Sequence, residues 1–248
     1  MPTLLSAVYW SWEHGRCAMS SYGQFCPVAK AMEVLDERWT LLVVRELMAG
    51  STRFNELRRG NPKMSPALLS KRLRSLERAG VIRRDEVDGR TSYHLTDCGM
   101  ELKPVVEGLG AWGIRWIGEL GEDDLDPHLL LWDIRRSVPL DQWPRSRTVV
   151  RFEFTDQPAG TAQWWLCVNG DDADVCDYDP GFDVTATVVT TLATMVRLWR
   201  VDRTWEDALR AGDARIDAPS DVRRELPAWL GQMSLGVVPH PIREPSLG

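Results

Sequence analysis

The segment from residue 64 to 95 constrains the fold of this chain most, because the signals for a complete helix are followed at once by those for a β-hairpin. Ser65 is a suitable N-cap, Pro66 suits the first helical turn, and Gly80 follows the last residue of the helical pattern. One face of this helix carries three leucines at helical spacing, and we expect this face to be buried: Leu69, Leu73 and Leu76. Short strand patterns then flank a turn at residues 88–90. We therefore predict a helix followed by a two-stranded hairpin.

The charge of this region is opposite to that of the whole chain. Between residues 51 and 84 there are ten Lys or Arg and two Glu, so the local formal charge is +8, whereas all 248 residues together carry −6. Cationic side chains that neutralise phosphates supply most of the non-specific affinity of a protein for DNA. A helix with a small, polar and basic face, followed by a hairpin with Arg90 at its tip, is the layout of a winged helix-turn-helix. A charged helix face that is merely solvated is the alternative, and the coincidence of charge and layout argues against it.

We predict that this helix enters the major groove of double-stranded DNA and that the hairpin, here called the wing, contacts phosphates or the minor groove. The residues best placed for base edges are Ala67, Ser70, Lys71 and Arg74. The complete set of predicted DNA-binding residues is Arg58, Arg59, Lys63, Ser65, Ala67, Ser70, Lys71, Arg72, Arg74, Arg83, Arg84, Arg90 and Thr91.

Motifs on both sides of this segment resemble those of a known family. Cys-Pro precedes the first predicted helix, Arg-Trp starts the second, Arg-Phe-Asn-Glu-Leu lies in the third, and the wing ends in Tyr-His-Leu-Thr-Asp-Cys-Gly. Over about residues 22–120 the chain resembles the HxlR-type winged-helix transcriptional regulators. The resemblance implies a homodimer that binds a palindromic operator. The first helix begins at Pro27 and is expected to bury Val28, Ala31, Met32 and Leu35.

A helix with a broad apolar side is predicted after the wing, from about residue 100 to 120. This side is too wide for an edge helix of a monomer, and it includes two tryptophans. The predicted dimer-interface residues are Leu102, Val105, Val106, Leu109, Trp112, Trp116, Ile117 and Leu120. Packing on its own winged-helix domain or on the second domain is the alternative. The resemblance favours the pairing of two copies, which would address two DNA half-sites.

The cysteines favour neither a disulfide framework nor a metal site. They are five in number without a Cys-x-x-Cys pair, and the four histidines lack metal-ligand spacing, so we predict no metal and no cofactor. Such cysteine usage suits a reducing cytosol. In several HxlR-like proteins the cysteine of the Cys-Pro motif senses oxidants or electrophiles, and this resemblance implies the same role for Cys26. A small buried residue at the domain entrance is the alternative for Cys26.

Charge and composition divide the chain into two halves. Residues 20–121 carry a net charge of +3 and residues 122–248 a net charge of −9. The predicted organisation is an N-terminal arm over 1–20, a winged-helix DNA-binding and dimerisation domain over 21–121, a connecting helix and linker over 122–147, an effector domain over 148–231, and a tail over 232–248. No apolar run approaches the length of a membrane span and no signal peptide is expected, so we expect a cytoplasmic protein.

The second half alternates like a half-buried antiparallel sheet before it turns helical. From residue 148, Val150, Phe152 and Phe154 lie on one side of a strand pattern. The strands followed by TTLATMVRLWRVDRTWEDALRAGDARIDAPSDVRRELPAWL resemble the sterol-carrier-protein-like fold, which implies a small α+β domain with a cavity for an apolar ligand. The candidate ligand-binding residues are Phe152, Phe154, Trp164, Leu192, Met195, Trp199 and Trp229. An ordinary aromatic-rich core is the alternative for each of them.

These features predict an α+β chain that is a sequence-specific transcriptional regulator. We expect no enzyme, because the chain lacks a GxSxG motif, a P-loop and a dinucleotide-binding motif. The expected partners are double-stranded DNA, a second copy of the chain and a small apolar ligand, with no membrane. Two rival hypotheses are a regulator switched through Cys26 by redox chemistry, and a lipid- or metabolite-binding module for which the basic domain is an interaction platform.

Overall fold

The computed structural model describes residues 21–117 and 120–234, which we call the N-terminal part and the C-terminal part. The predicted arm and all but the first three residues of the predicted tail lie outside the described residues. Each part has its own hydrophobic core. The elements of the N-terminal part are α1 (Pro27–Leu35), α2 (Thr40–Met48), α3 (Phe54–Arg59), α4 (Pro66–Arg78), β1 (Ile82–Val87), β2 (Arg90–Leu95), α5 (Asp97–Met100) and α6 (Lys103–Trp116).

The helix predicted at the centre of the sequence is α4, and local signals set both of its ends. The Ser65 Oγ accepts a hydrogen bond from the backbone N–H of Leu68 at 3.3 Å, and Pro66 occupies the first turn. After the helix, Gly80 adopts a φ of +70°, a left-handed conformation that commonly ends helices. The three leucines of the predicted inward face are buried, as expected: Leu69, Leu73 and Leu76.

The wing is an antiparallel hairpin with a two-residue turn. Val87 faces Arg90 in the register of β1 and β2, so the turn itself contains only Asp88 and Gly89. Both turn residues have positive φ, 52° and 68°. A type I′ turn requires this conformation, and Asp-Gly is one of its preferred sequences. The sequence pattern put Arg90 in the turn, and it is instead the first residue of β2.

The core of the N-terminal part is built by α2, α3, α4 and the start of the wing. Its buried residues are Val43, Val44, Leu47, Leu57, Met64, Leu69, Leu73, Leu76, Val81 and Ile82. The expectation for the first helix was wrong, because α1 contributes no buried residue to this core. Val28 is 69% exposed and Met32 is 37% exposed, Ala31 is also exposed, and Leu35 is half-buried. The periodicity identified the helix, but its apolar side faces outward in the single chain.

The C-terminal part consists of four helices and a five-stranded sheet, with short 3₁₀ turns at 122–124 and 140–142. Its elements are α7 (Pro127–Ser137), β3 (Thr148–Phe154), β4 (Gln163–Asn169), β5 (Asp172–Cys176), β6 (Ala186–Thr190), α8 (Leu192–Trp199), α9 (Trp205–Ala211), β7 (Ala214–Asp217) and α10 (Ser220–Leu230).

The sheet is mixed, whereas the sequence pattern predicted an antiparallel one. The strand order is β5-β4-β3-β6-β7, and the pair β3–β6 is parallel while the other three pairs are antiparallel. After the meander β3-β4-β5, the chain returns to the free side of β3 before β6 begins. Alternation of apolar and polar residues reports which face a side chain occupies but not the direction of its neighbour, so this pairing was not predictable from the pattern.

The segment predicted as a connecting helix and linker is part of the second core. The helix α7 begins at the N-cap Asp126, whose carboxylate accepts a hydrogen bond from the N–H of Leu129 at 3.2 Å. Leu131 and Ile134 of α7, and Trp143 beyond it, are buried together with the sheet and α8. The apolar residues of α7 therefore pack in the core of the C-terminal part, and α7 is not a spacer between two domains.

The two parts meet around the carboxylate of Glu46, which has no exposed surface. Its Oε2 accepts hydrogen bonds from Nη1 of Arg136 at 2.6 Å and from Nε1 of Trp132 at 3.4 Å. Its Oε1 accepts one from Nη2 of Arg45 at 2.7 Å. Gly60 passes so close that a Cβ at this position would overlap the carboxylate. A buried charge is tolerated only with such partners, so Glu46 joins α2 to α7.

The connection continues from Arg136 into the second core. Arg136 also pairs with Asp133, whose second oxygen accepts a hydrogen bond from Nε1 of Trp199 at 2.7 Å. Burial by itself would lower the pKa of Arg136, but the carboxylates of Asp133 and Glu46 outweigh it, so the pKa of Arg136 is raised. Sequence spacing suggests only the pair Asp133–Arg136, three residues apart on one helix. The link to Glu46, ninety residues earlier, comes from the tertiary structure.

Among the described residues, no helix is both long and apolar enough to cross a membrane.

Candidate nucleic-acid interface

The face of α4 away from the core is small near its start and cationic further along. Ala67, Lys71 and Arg74 are exposed, and Ser70 is half-buried. Ser65 is exposed, but its hydroxyl is engaged as the N-cap of the helix. The leucine stripe buries the opposite face, so these predicted base-reading positions are free to approach a ligand.

The structure corrects the prediction for Arg72, which was expected to contact phosphate. This residue is only 7% exposed and lies on the inner side of α4. Its Nε donates a hydrogen bond to the carbonyl oxygen of Arg38 at 3.0 Å, and its guanidinium pairs with Glu37. Burial lowers the pKa of Arg72. The side chain therefore fastens α4 to the segment before α2.

The wing carries three exposed arginines, two of which form ion pairs within the wing. Arg83 pairs with Asp85 at 3.0 Å, and Arg84 pairs with Glu86 at 3.4 Å. Both pairs lie at the surface, where such contacts contribute little and exchange readily for other anions. Arg90, beside the turn, is exposed.

The base of the wing is tied to the helical body. Nη1 of Arg53, at the start of α3, donates a hydrogen bond to the carbonyl oxygen of Thr91 at 3.1 Å. The backbone N–H of Tyr93 donates to the carbonyl oxygen of Thr52 at 2.9 Å. Thr91 is half-buried. These contacts hold the wing in one position relative to α3.

The remaining predicted cations lie on α3 and just after it, at the boundary with the C-terminal part. Arg58, Arg59 and Lys63 are exposed and line a cleft of about 700 Å³. The guanidinium of Arg59 lies 5.4 Å from the ring centre of Trp132 on α7. The Lys63 Nζ donates to the carbonyl oxygen of Asp123. Sequence reasoning found the cations but not the cleft, whose other wall comes from α7, β4 and β5.

The helix expected over about residues 100–120 to form a dimer interface is α6, which is shorter (Lys103–Trp116) and carries an exposed apolar stripe. Successive positions along the stripe are separated by four, three and four residues. The stripe consists of Val105, Leu109, Trp112 and Trp116, which are 47%, 51%, 56% and 60% exposed. Ile117 and Leu120 are also exposed, at 57% and 38%. Spacing of this kind is typical of a helix that pairs with another helix.

Two residues of the predicted dimer interface do not belong to this exposed stripe. Leu102 and Val106 are half-buried and pack against the core of the N-terminal part. Ile114, from the same helix, is buried. One side of α6 therefore packs on its own chain, as the alternative interpretation expected, while the opposite side remains exposed.

The seven candidate ligand-binding residues of the C-terminal part form a packed core. Each of them is at most 6% exposed and belongs to one continuous apolar cluster, namely Phe152, Phe154, Trp164, Leu192, Met195, Trp199 and Trp229. Only Trp164 of this set borders the cleft of about 700 Å³. The other six candidate residues are therefore ordinary core residues in this structure, as the alternative interpretation expected.

The cysteines differ in their surroundings. Burial raises the pKa of Cys167 to about 11, and the neighbouring Cys176 and Asp174 add to this effect. Burial also raises the pKa of Cys176. Both are thiols at neutral pH and hence poor nucleophiles. Cys26 is half-buried at the N-cap position of α1 and makes no capping hydrogen bond, and Cys17 lies outside the described residues.

Comparison with known proteins agrees with the architecture of the N-terminal part. Residues 34–120 match the HxlR-like helix-turn-helix family. YvaP of Bacillus subtilis, named as an uncharacterized HTH-type transcriptional regulator, is 40% identical over 98 residues, which are 38% of this chain and 91% of YvaP. The similarly named sll1512 of Synechocystis is 38% identical over 98 residues, covering 38% of this chain and 73% of that protein.

Among solved structures, the reduced form of the transcriptional regulator YodB from B. subtilis is 29% identical, with 38% of this chain and 97% of YodB covered and a TM-score of 0.34. The match to YvaP takes in nearly the whole of that relative, and the family match runs from α2 through the wing to α6. This chain therefore belongs to the HxlR-like helix-turn-helix family.

Proposed function

We propose that this protein is a sequence-specific transcriptional regulator that binds double-stranded DNA as a homodimer. The observation that carries the proposal is the exposed face of α4, where Lys71 and Arg74 follow the small residue Ala67. Small side chains allow a helix to approach the floor of the major groove, and basic ones contact guanine edges or phosphates. The helix-turn-helix family of the N-terminal part supports this assignment.

The wing and α3 would add contacts to the DNA backbone. Arg90 is exposed beside the two-residue turn, and Arg83 and Arg84 form ion pairs with carboxylates at the surface. Arg58 and Lys63 are exposed near the start of α4. Since each neutralised phosphate releases counterions, these cations would strengthen binding to any sequence and orient α4 in the groove.

The homodimer is proposed from the exposed apolar stripe of α6. Four apolar residues at helix-pairing spacing are about half exposed in the single chain, and two of them are tryptophans. Further apolar side chains are exposed on α1 and just before it, namely Val28 and Met32 on the helix and Phe25 ahead of it. A second copy of the same chain would cover these surfaces with equivalent residues, and a two-fold dimer would match a palindromic operator.

For the C-terminal part we propose an effector-sensing role in a domain of the sterol-carrier-protein-like type. The five-stranded mixed sheet covered by helices supports this proposal. The link between Glu46 and Arg136 joins the sheet-and-helix core to the helix-turn-helix, and it would carry a change caused by an effector from one part to the other. No catalytic role is proposed.

The proposed function is tested by selecting DNA from a random-sequence library with the full-length protein and titrating the selected DNA by fluorescence anisotropy. We expect an inverted repeat, and binding that scrambled DNA of the same length fails to compete. The DNA upstream of the protein's own gene is the first natural sequence to compare. Enrichment of no motif, together with equal competition by scrambled DNA, would contradict sequence-specific binding. It would favour the rival hypothesis of a ligand-binding module with an interaction platform.

Arg90→Ala is expected to weaken binding to the selected DNA and to scrambled DNA by the same factor. It should also lower the slope of log affinity against log salt by about one, because one phosphate contact is lost. Arg74→Ala is the matched contrast, since it should remove about 1–3 kcal/mol of discrimination between the two DNAs. Arg145→Ala removes an exposed arginine of the C-terminal part and should change neither quantity. A change of base preference in the Arg90 variant would refute its assignment to the backbone.

A further inference from the structure

Two kinds of contact hold α4 to the rest of the N-terminal part. Its leucine face packs in the core, and its Arg72 reaches the segment between α1 and α2, residues 36–39, which we call the joint. Apolar packing is non-directional, so it determines which side of a helix is buried but tolerates small rotations about the helix axis. Among the residues that the structure describes, no other side chain of α4 forms a hydrogen bond or an ion pair with another element.

Arg72 contacts the joint at two successive residues. Its Nε donates a hydrogen bond to the carbonyl oxygen of Arg38 at 3.0 Å, and its Nη1 pairs with the carboxylate of Glu37. The side chain is buried, three residues after Leu69 and four before Leu76, on the inner side of the helix. The donors of a guanidinium have a fixed fork geometry, so two partners define both its position and its orientation. This contact therefore fixes the rotation of α4 relative to the joint.

The joint is anchored from its other sides as well. Trp39 has a φ of +80°, a left-handed conformation that is uncommon for a bulky residue and persists only where its surroundings hold it. The Trp39 side chain packs against the core of the N-terminal part, and the Arg38 guanidinium lies 5.3 Å from its ring centre. The Asp36 carboxylate accepts a hydrogen bond from the hydroxyl of Tyr22 at 2.7 Å. Arg72 thus connects α4 to a segment that has contacts of its own.

Rotation of α4 would displace the side chains that we expect to read bases. A helix with its side chains is about 10–12 Å across, so a rotation of about 10° moves a side chain at its surface by about 1 Å. Donor–acceptor distances in hydrogen bonds vary by only about 0.5 Å. Lys71 and Arg74 flank Arg72 on the same helix, so both would move out of hydrogen-bonding distance of a base edge together.

We propose that Arg72 is a positioning residue for sequence recognition. By holding α4 to the joint, it sets the orientation in which Lys71 and Arg74 meet the base edges. This role rests on the proposed function, since it lets Arg72 affect the reading of DNA without touching DNA. It differs from the phosphate contact that the sequence predicted. A phosphate contact strengthens binding to every sequence, whereas a positioning contact strengthens binding to the selected sequence alone.

Arg72→Met tests this role by anisotropy titration of the full-length protein with the selected DNA and with scrambled DNA. Methionine replaces most of the buried stem of the arginine. The Glu37 side chain is 47% exposed, so its carboxylate stays in contact with water when its partner is lost. We expect the ratio of the two affinities to fall about tenfold or more, the effect of losing one good base contact.

Arg78→Met is the matched control on the same helix. It removes the same charge, but the hydrogen bonds of Arg78 are to Arg74 and Ser75 of α4 itself. The control should therefore keep the preference for the selected DNA. The affinity of Arg72→Met for scrambled DNA, and its slope of log affinity against log salt, should equal those of the control. Equal preference in the two variants would overturn the proposal. A lower salt slope in Arg72→Met than in the control would overturn it too, because it would indicate a phosphate contact.

Two further changes separate the geometry of the arginine from its charge. Arg72→Lys keeps the positive charge but loses the fork, so we expect it to recover at most a small part of the lost preference. Full recovery by lysine would refute the positioning role. Glu37→Gln should lower the preference less than Arg72→Met does, and it should add nothing when combined with Arg72→Met, because both changes break one contact. Additive losses would contradict that contact.

Hydrogen–deuterium exchange of the free protein separates this inference from the proposed function. Backbone hydrogen bonds of the joint and the start of α2 run from Thr40 to the carbonyl oxygen of Glu37 and from Val43 to that of Trp39. Peptides covering residues 36–43 and 66–78 should exchange at least about twofold faster in Arg72→Met than in Arg78→Met, because local opening becomes easier. Equal exchange would refute the contact between α4 and the joint, whether or not the protein binds DNA. If exchange is faster but the parent protein prefers no DNA, the proposed function fails and this contact stands.

Discussion

Arg136→Met is expected to destabilise the folded protein by about 3 kcal/mol, which is the low end of the cost of removing one partner from a buried ion pair. Glu46 has no exposed surface, and Nη1 of Arg136 lies 2.6 Å from its Oε2. Methionine fills a similar volume but leaves the buried carboxylate without its partner from α7. Arg45 still contacts Glu46 at 2.7 Å, which is why we expect the lower value. The variant also deprives Asp133 of its cation.

Urea unfolding followed by circular dichroism measures this effect. Arg210→Met is the matched control, because that arginine pairs with Glu206 and Asp207 at the surface, where the loss should be below about 1 kcal/mol. Adding Glu46→Gln to Arg136→Met should recover part of the loss, since the unpaired charge is then removed. Equal destabilisation by the Arg136 and Arg210 variants would contradict the role of this ion pair.

Trp112→Glu combined with Trp116→Glu is expected to convert the protein from dimer to monomer and to weaken operator binding strongly. Buried tryptophans are frequent hot spots worth about 2 kcal/mol or more each. Each protomer loses two tryptophans, about 4 kcal/mol, so the dimer dissociation constant should rise by at least about 1,000-fold. Both side chains are more than half exposed in the single chain, so the fold of the chain should survive the change.

Sedimentation equilibrium and DNA titration check this prediction together. Lys103→Gln is the control on the same helix, because it changes the charge of the chain by the same amount as one Trp→Glu and carries no apolar surface. The control should remain dimeric and bind the operator as the parent protein does. A dimer that persists in the tryptophan variant would place the interface elsewhere, for example on the exposed side of α1.

The sequence predicted those elements whose signals are local. The N-cap Ser65, the proline after it and Gly80 predict α4 because each acts within one helical turn. The Asp-Gly turn predicts the wing for the same reason. The exposed basic residues of α4 followed from the leucine periodicity, because burial of one helix face leaves the other outside. The strand β3, which begins at Thr148, was likewise predicted from the alternation of apolar and polar residues.

The sequence could not predict whether the apolar side of a helix is buried in the folded chain. It also could not predict which charged side chains are shielded from solvent. Arg72 belongs to the same basic pattern as Lys71 and Arg74, yet it faces the segment before α2. α1 was expected to bury its apolar side and exposes it. In each case the outcome depends on neighbours that are distant in sequence, and periodicity carries no information about them.

By itself the sequence determined a helix-turn-helix with a basic face and a wing, because caps, turns and hydrophobic spacing act between residues close in the chain. Only the tertiary structure decided that β6 runs parallel to β3, that α7 belongs to a core and that Glu46 meets Arg136. It also created the cleft, whose cations and aromatic rings lie about seventy to a hundred residues apart. Such features arise when two cores pack together, since a buried charge selects its partner by distance in space and not by position in the chain.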